Sequence, residues 1–575
     1  MRDGRRLAGL AAVASLAVNL VGLTWGLPAR WHPDEKADDA AALVATRSLV
    51  PASFINPSLP LYVMMPVIAA QQALAGAGAI GETAADPLLA GRVLAALAGA
   101  LAVLLLGLGA GGEKPALAAW LLALAPGFVN LCHFATPEPW LLLATVGVLV
   151  ACRRHLDGRL GALGLGVVVG LAGATKYTAA ALVLPALAAA GWSRDAARRP
   201  LPPVAAIGAG LVAIAAGAWV ALALPLAGRL HLPDARLLHA EAASGFIRGL
   251  GAVLIVTGVG VAAAGVAARA GRPWARRIVS RSSVQVLVGS AAGFLAGTPG
   301  AIVQPLRFLS DLAYNQQTRT EYKGLIGEST SFVPYLSLLL DALTWPLLVL
   351  ALAGLVVALA RGLKGHALSW VWIAAAVAPY VLVASSGHRA LRFAAPIFPV
   401  AALLATDALL ALVRPARTRT VVAAAVITRL AAGAVLVDRL FLVDARRRAA
   451  AWIEANVPPH TPIDVITNHP GYAPAPRGYA MQMVPTLSRE MAPSERFDAA
   501  AREYAQQGGP WLVLTAAYYQ RFLEHPEQQP ERALFFRELL EGRRGFSVAA
   551  RFKQEGWRRP PVEFVDPEIV ILRRE

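Results

Sequence analysis

The sequence predicts a polytopic α-helical membrane protein that ends in a small soluble α/β domain. Three observations lead there. Of 575 residues, 57% are hydrophobic and only 15% charged, with a mean hydropathy of +0.54, whereas soluble domains carry about a quarter charged residues. The apolar residues fall into runs near the roughly 20 residues that cross a hydrocarbon layer. From about Asp444 the chain turns polar, with short β-rich runs between helical patterns. The net charge of +17 lies in short clusters between apolar runs rather than in one block, which fits orientation in a membrane and not a nucleic-acid partner.

Apolar runs fall at 7–26, 88–109, 116–132, 138–152, 160–174, 176–190, 201–226, 249–269, 284–303, 342–360, 368–386, 393–413 and 419–440, about thirteen spans. The first follows Arg2, Arg5 and Arg6, and no small-residue cleavage site precedes Trp31, so it reads as an uncleaved first span. With the N-terminus inside, the inside loops carry Lys114, Arg153, Arg154, Arg159, Arg194, Arg198, Arg199, Arg269, Arg272, Arg276, Arg277, Arg281, Arg361, Lys364, Arg414, Arg417 and Arg419. The outside loops collect Asp34, Glu35, Asp38, Asp39, Glu138, Asp234, Glu241, Asp311, Glu321 and Glu328. This asymmetry is the positive-inside rule.

The run 59–80 is apolar but holds Pro60, Pro66, Gln71 and Gln72. As a span it would reverse every later loop, so it is expected on the outer surface as an interfacial or re-entrant helix. Residues 1–443 thus read as the membrane domain, with 27–87 as its first outer loop. Residues 444–575 read as an α/β domain placed outside by the odd span count. Strands are expected at 463–467, 511–515, 546–552 and 568–572, with a helix over 446–456. Cys132 and Cys152 fall near opposite faces and read as small buried hydrophobes.

The segment Trp31-His32-Pro33-Asp34-Glu35 directly follows the first span. Two adjacent carboxylates at the outer surface suit deprotonation of a hydroxyl or the holding of a cation; capping the helix that begins near Asp34 is the plainer role. Glu138 follows His133-Phe134-Ala135-Thr136-Pro137 at the next outer boundary, where an acid is costly, though it also suits the first turn of a helix capped by Thr136. Arg92, Lys176, Arg389 and Arg392 are basic residues on the side where orientation does not call for them. An anionic head group such as a phosphate gives one reason, snorkelling or a local ion pair another. His32 and His133 sit beside the acids without metal-ligand spacing, and the sequence carries no Walker A loop, Rossmann fingerprint or GxSxG.

In this order and on this side of the membrane, the segments resemble the GT-C glycosyltransferases of the PMT-like family, which includes the protein O-mannosyltransferases and the bacterial aminoarabinose transferases. The resemblance runs through Asp34-Glu35, the Pro-rich stretch from Asn56 to Tyr62, Arg92 at the start of the second span, Glu138, and the stretch from Gly170 to Lys176. It continues through Thr298-Pro299-Gly300 with the following Tyr314, Tyr322 and Gly327, to the stretch from Arg392 to Pro399. Two positions depart: Glu138 stands where the family more often has Asp, and Asn56 stands about where the aminoarabinose transferases place Lys.

The resemblance implies a polyprenyl-phosphate-linked sugar donor, with its phosphate near Arg92, Lys176, Arg389 or Arg392. Asp34 would be the general base on an acceptor hydroxyl, giving inversion. Glu35 or Glu138 would position the acceptor or Asp34, with His32, Tyr62 and His133 as further substrate contacts. It implies no cofactor or metal for transfer, although a divalent cation near the acids is compatible with them. The partners would be membrane lipids and a protein, lipid or glycan acceptor, and the location a bacterial cytoplasmic (inner) membrane with the N-terminus cytoplasmic. A transporter or flippase of lipid-linked sugars would share the spans and basic residues. It would not need the acidic pair or the exported domain, and such proteins commonly show inverted repeats.

Overall fold

The structure is a computed structural model that describes residues 2–109, 115–193, 202–222, 240–322, 325–326, 331–386, 389–488, 494–553, 562 and 564–575. Lys114, Arg194, Arg198, Arg199, Asp234, Gly327 and Glu328 lie outside the described residues.

Every apolar run contains helix. In chain order these are Arg2–Asn19, Pro87–Gly109, Pro115–Ala123 with Pro126–Cys132, Glu138–Leu156, Ala162–Gly173, Val183–Trp192, Pro203–Leu222, Ala240–Arg269, Arg281–Gly297, Phe332–Leu363, Ala367–Ala384, Ile397–Leu412 and Ala416–Leu442. Among the described residues eight helices are long and apolar enough to cross a membrane, or nine if the pair 115–132, bent by 66°, is one span. The bend falls at Pro126, which starts the second half and cannot continue the first. The chain is a multi-pass membrane protein, and its outward faces agree: Val212, Trp219 and Val256 are 69, 70 and 71% exposed, tolerable only where lipid replaces water.

The run at 59–80 differs from its sequence reading. Helix Leu59–Gly76 is one of the eight by length and hydropathy. Gln71, which argued against a span, turns inward and donates its amide to the Ala84 and Asp86 carbonyls at 2.7 and 2.9 Å, so the polar group is satisfied within the protein.

Small residues let the helices approach backbone to backbone. Gly166 and Gly170 face Val286 and Ser290 across the crossing of Ala162–Gly173 with Arg281–Gly297, and a Cβ at Gly170 would collide with the Ser290 carbonyl. The long helix Phe332–Leu363 breaks at Thr344, which has φ 63°.

A two-residue hairpin, β1 (Glu321–Tyr322) and β2 (Leu325–Ile326), lies between membrane helices. The C-terminal part folds as a five-stranded sheet of β3 (Ile463–Ile466), β4 (Met481–Met483), β5 (Trp511–Thr515), β6 (Phe546–Phe552) and β7 (Ile569–Arg574), in the order β4-β3-β5-β7-β6. β3 runs parallel to β4 and β5; β7 runs antiparallel to β5 and β6. β5 is buried along its whole length, as its unbroken apolar run Trp511 to Leu514 requires of a central strand. Helices Ser494–Gln507, Ala516–Glu524 and Pro530–Leu540 cover one face through Phe497, Tyr518, Phe522 and Phe536. Helix Ala445–Asn456 covers the other through Ala449 and Ile453. The edge strand β4 was not legible in the sequence, because three residues give too short an alternation to read.

A buried ion pair joins this sheet to the membrane helices. Asp444 and Arg446 are both 0% exposed. Arg446 donates Nε and Nη2 to the two Asp444 oxygens at 3.0 and 2.8 Å, Nη1 to the Gly471 carbonyl at 2.9 Å and Nη2 to the Phe564 carbonyl at 2.8 Å. Asp444 also accepts from Trp25 Nε1 at 3.0 Å and from the Asp566 amide at 2.8 Å. The guanidinium lies over Trp25 and Trp31, 5.0 and 4.4 Å from their ring centres. One pair thus ties the first outer loop, the last membrane helix and two loops of the sheet.

Candidate active site

The loop after the first helix sends its two acids in opposite directions. Glu35 turns inward: Arg92 donates Nε and Nη2 to its two oxygens at 2.8 and 2.7 Å, and the Ala135 amide donates at 3.0 Å. Arg92 also donates Nη1 to the Leu23 and Trp25 carbonyls at 2.8 and 2.6 Å. Both side chains are sealed, at 1 and 2% exposure. Asp34, the neighbouring residue, is 44% exposed and meets Arg392 Nη1 at 3.0 Å. Opposite directions and separate guanidinium partners remove the repulsion that adjacent carboxylates would otherwise feel.

His32 fixes the turn between them, its Nδ1 accepting the Asp34 amide hydrogen at 3.1 Å. It packs against Phe134 and Phe564, with ring centres 4.2 and 4.8 Å away. Burial pushes its imidazole down to about 4 despite the carboxylates of Glu35 and Asp34, so it is neutral near pH 7. For Asp34, burial works to raise the carboxyl, but Arg392, helped by His32, Lys36 and Lys176, outweighs it and holds the group at about 2. Burial opposes ionisation of Glu35 as well, and Arg92 overcomes it, leaving that carboxyl below its ordinary value.

Helix Glu138–Leu156 begins with Glu138, which is 2% exposed and pairs with the Lys176 ammonium. Lys176 sits in extended backbone between Ala162–Gly173 and the 3-10 turn Tyr177–Leu182, which delivers its side chain to this acid. The ammonium also lies 5.2 Å from the Phe393 ring centre, and the Arg392 guanidinium lies 5.5 Å from the rings of Phe393 and Phe564.

These groups border a cavity of about 610 Å³. Its wall includes Asp34, Asn56, Glu138, Lys176, Tyr177, Tyr314, Asn315, Arg392 and Phe393 from the membrane part. The C-terminal part adds Asn468, His469, Tyr472 and Phe564. Helix Pro305–Thr320 braces the loop at 52–56: Asp311 accepts from the Phe54 amide at 2.5 Å, and Asn315 donates to the Ile55 carbonyl at 2.8 Å. Tyr177 donates its hydroxyl to the Phe54 carbonyl at 2.6 Å. One end of the cavity is therefore cationic, one carboxylate faces it, and the remaining wall is aromatic and amide.

Of the residues singled out in the sequence, Asp34, Glu138, Lys176 and Arg392 are brought together on the cavity wall. Glu35 and Arg92 are held in their own sealed pair beside it, outside its lining. Arg389 also lies outside the lining and donates Nε to Ser331 Oγ at 3.1 Å. Tyr62 turns away, donating its hydroxyl to the Leu49 carbonyl. His133 stacks on Phe441 with ring centres 4.2 Å apart; its Nδ1 pairs with the Val129 carbonyl at 2.7 Å, and its Nε2 lies 3.4 Å from Asp438. Among the described residues no group of three or more His, Cys, Asp or Glu is disposed to hold a metal ion.

Sequence reasoning missed the wall from the C-terminal part. Its signal was nonetheless present: residues 468–472 follow the carboxyl end of β3, a strand with parallel neighbours, which is where open α/β sheets place ligand-facing loops.

Residues 74–219 match the family described as dolichyl-phosphate-mannose-protein mannosyltransferase, a stretch that includes Arg92, Glu138 and Lys176. A polytopic bundle with an attached α/β part and this family's sequence pattern defines a membrane glycosyltransferase of the GT-C class. Within that class the chain is a PMT-like protein, as its resemblance implied.

Solved structures with a similar chain path include the archaeal oligosaccharyltransferase AglB from Archaeoglobus fulgidus in complex with an inhibitory peptide and a dolichol-phosphate. It is 14% identical with a TM-score of 0.42, over 93% of this chain and 71% of that one. ArnT from Cupriavidus metallidurans bound to undecaprenyl phosphate is 15% identical with a TM-score of 0.41, over 98% of this chain and 97% of that one. The Archaeoglobus fulgidus oligosaccharyltransferase tethered with an acceptor peptide is 12% identical with a TM-score of 0.48, over 93% and 72%. No curated protein sequence matches the chain.

Proposed function

We propose that the protein transfers a sugar, with inversion, from a polyprenyl-phosphate-linked donor to a hydroxyl acceptor at the outer face of a bacterial cytoplasmic membrane. The observation that carries this is the juxtaposition in one cavity of an ionised, partly exposed Asp34 with the cations Arg392 and Lys176.

In this reading the donor phosphate lies against Lys176 and Arg392, which stabilise negative charge as the bond from the anomeric carbon to the phosphate oxygen breaks. The acceptor oxygen attacks the opposite face of that carbon and gives its proton to Asp34. A carboxylate held at about 2 is a weak base, and donor binding corrects this. A phosphate that draws on Arg392 leaves Asp34 with burial as the dominant influence, so its basicity rises once the donor is in place. Glu138 orients the Lys176 ammonium. Glu35 and Arg92 serve as a brace for the loop that carries Asp34, and His32 fixes its turn. The four groups on the cavity wall are therefore assigned to the reaction, and Arg389, Tyr62 and His133 to the frame.

The test is mass spectrometry of lipid, glycan and protein fractions from cells with and without the gene. Loss of a sugar that wild type restores and Asp34→Asn does not, with the variant folded and present in membranes, is the expected result. Restoration by Asp34→Asn would overturn the base assignment. Accumulation of a lipid-linked sugar on one leaflet with no lost product would point instead to a transporter.

A further inference from the structure

The cavity has a second wall whose chemistry differs from the first. The residues it takes from the C-terminal part, Asn468, His469, Tyr472 and Phe564, carry no lysine or arginine. We propose that His469 reads the acceptor, donating a hydrogen bond from Nε2 to an oxygen of a neutral, hydroxyl-bearing acceptor group. This rests on the transferase reading above and names the residue that recognises its second substrate.

The direction of that hydrogen bond follows from the local geometry. The Gly471 amide donates to His469 Nδ1 at 3.1 Å, so Nδ1 presents its lone pair. Protonation there would set two N–H groups against each other. The imidazole is therefore the neutral tautomer with its hydrogen on Nε2, which can only donate. The residue is held from several sides. The Thr467 hydroxyl, 1% exposed, donates to the His469 carbonyl at 3.1 Å and accepts from its amide at 3.3 Å. Arg446 holds the Gly471 carbonyl at 2.9 Å. Fixed donors of this kind discriminate between ligands, because a ligand without a matching acceptor leaves a polar group unpaired.

The position assigns this donor to the acceptor rather than to the phosphate. From His469 the wall runs through Tyr472, with ring centres 5.4 Å apart, to Phe564 at a further 5.8 Å, and only then to Arg392, 5.5 Å from the Phe564 ring. Two aromatic rings thus separate His469 from the nearest of the cations assigned to the phosphate.

Two substitutions separate recognition from turn-capping. The amide oxygen of His469→Asn falls near Nδ1 and can take the Gly471 hydrogen, but the variant has no donor at Nε2. The amide nitrogen of His469→Gln reaches the Nε2 position but leaves the turn uncapped. Transfer is followed as the sugar appearing in the product fraction. Binding of undecaprenyl phosphate to each purified variant checks the cationic end of the cavity.

The expected result is undecaprenyl phosphate binding unchanged in both variants, His469→Gln within about threefold of wild type, and His469→Asn slowed about tenfold or more. Asn at or above the level of Gln, or both variants equal to each other, overturns the proposal, since the residue would then be a cap or a bystander. Product absent from wild type itself overturns the transferase reading and this inference with it.

Discussion

Arg446→Met tests whether one buried ion pair holds the catalytic cavity closed on its C-terminal side. The loss can be worked from its contacts. The substitution removes two charge-assisted bonds to Asp444 and the donors to the Gly471 and Phe564 carbonyls. Asp444 would keep the Trp25 indole, the Asp566 amide and the Arg446 backbone amide as donors, but its charge would lose its counter-charge at 0% exposure. Breaking such a pair by removing one partner costs about 3–5 kcal/mol. For a part of this size that corresponds to a fall in Tm of roughly 10 °C.

The assay is thermal unfolding of the purified full chain, paired with limited proteolysis of the segment after Asp444. Adding Asp444→Asn to Arg446→Met neutralises the stranded charge while keeping an acceptor oxygen, so the double variant is expected to be more stable than Arg446→Met alone. A fall of less than about 2 °C for Arg446→Met, or a double variant less stable than the single, would refute the reasoning.

Arg392→Gln removes the cation that outweighs burial at Asp34, so the acid limb of kcat/KM is expected to move upward from its wild-type position; an unmoved limb would remove Asp34 from the reaction. The matching stability has a fixed sign. Asp34 ionises more readily folded than unfolded, so its pairing contributes above its ordinary value of 3.8 and is lost as pH falls toward about 2. Gly170→Ala is expected to destabilise the bundle by about 1–3 kcal/mol by forcing apart the two helices that meet there; equal detergent-solubilised Tm values would show that the crossing can shift at no cost. A reporter fused to the C-terminus is expected outside the cytoplasm, and a cytoplasmic signal would reverse the whole assignment of faces.

Much of the site was legible before folding because its residues were anomalous where they stood. Asp34, Glu138, Lys176 and Arg392 are charges at apolar boundaries, and a charge there needs a partner or a ligand. The sequence did not divide them by role. Arg92 and Lys176 looked alike, each a cation on the outer side. Arg92 proved to be bound by both Glu35 oxygens and two carbonyls and sealed from the cavity. Lys176 shares its acid at the cavity edge. Such a difference depends on where the side chains end, and positions 57 residues apart, as Glu35 and Arg92 are, have no local signature for it.

The sequence by itself determined the helices, most of the sheet and the charge asymmetry, because apolar periodicity and the avoidance of charge in lipid are local properties of a segment. Only the tertiary structure decided that Asp34 and Glu35 point apart and that the run at 59–76 satisfies its glutamine internally. It also decided that His469 and Tyr472 stand across the cavity from Arg392. Those outcomes rest on Asp444 and Arg446 meeting Trp25 and the loops at 471 and 564. Contacts made over more than a hundred residues of chain are fixed only once burial has left a charged pair with no water to turn to.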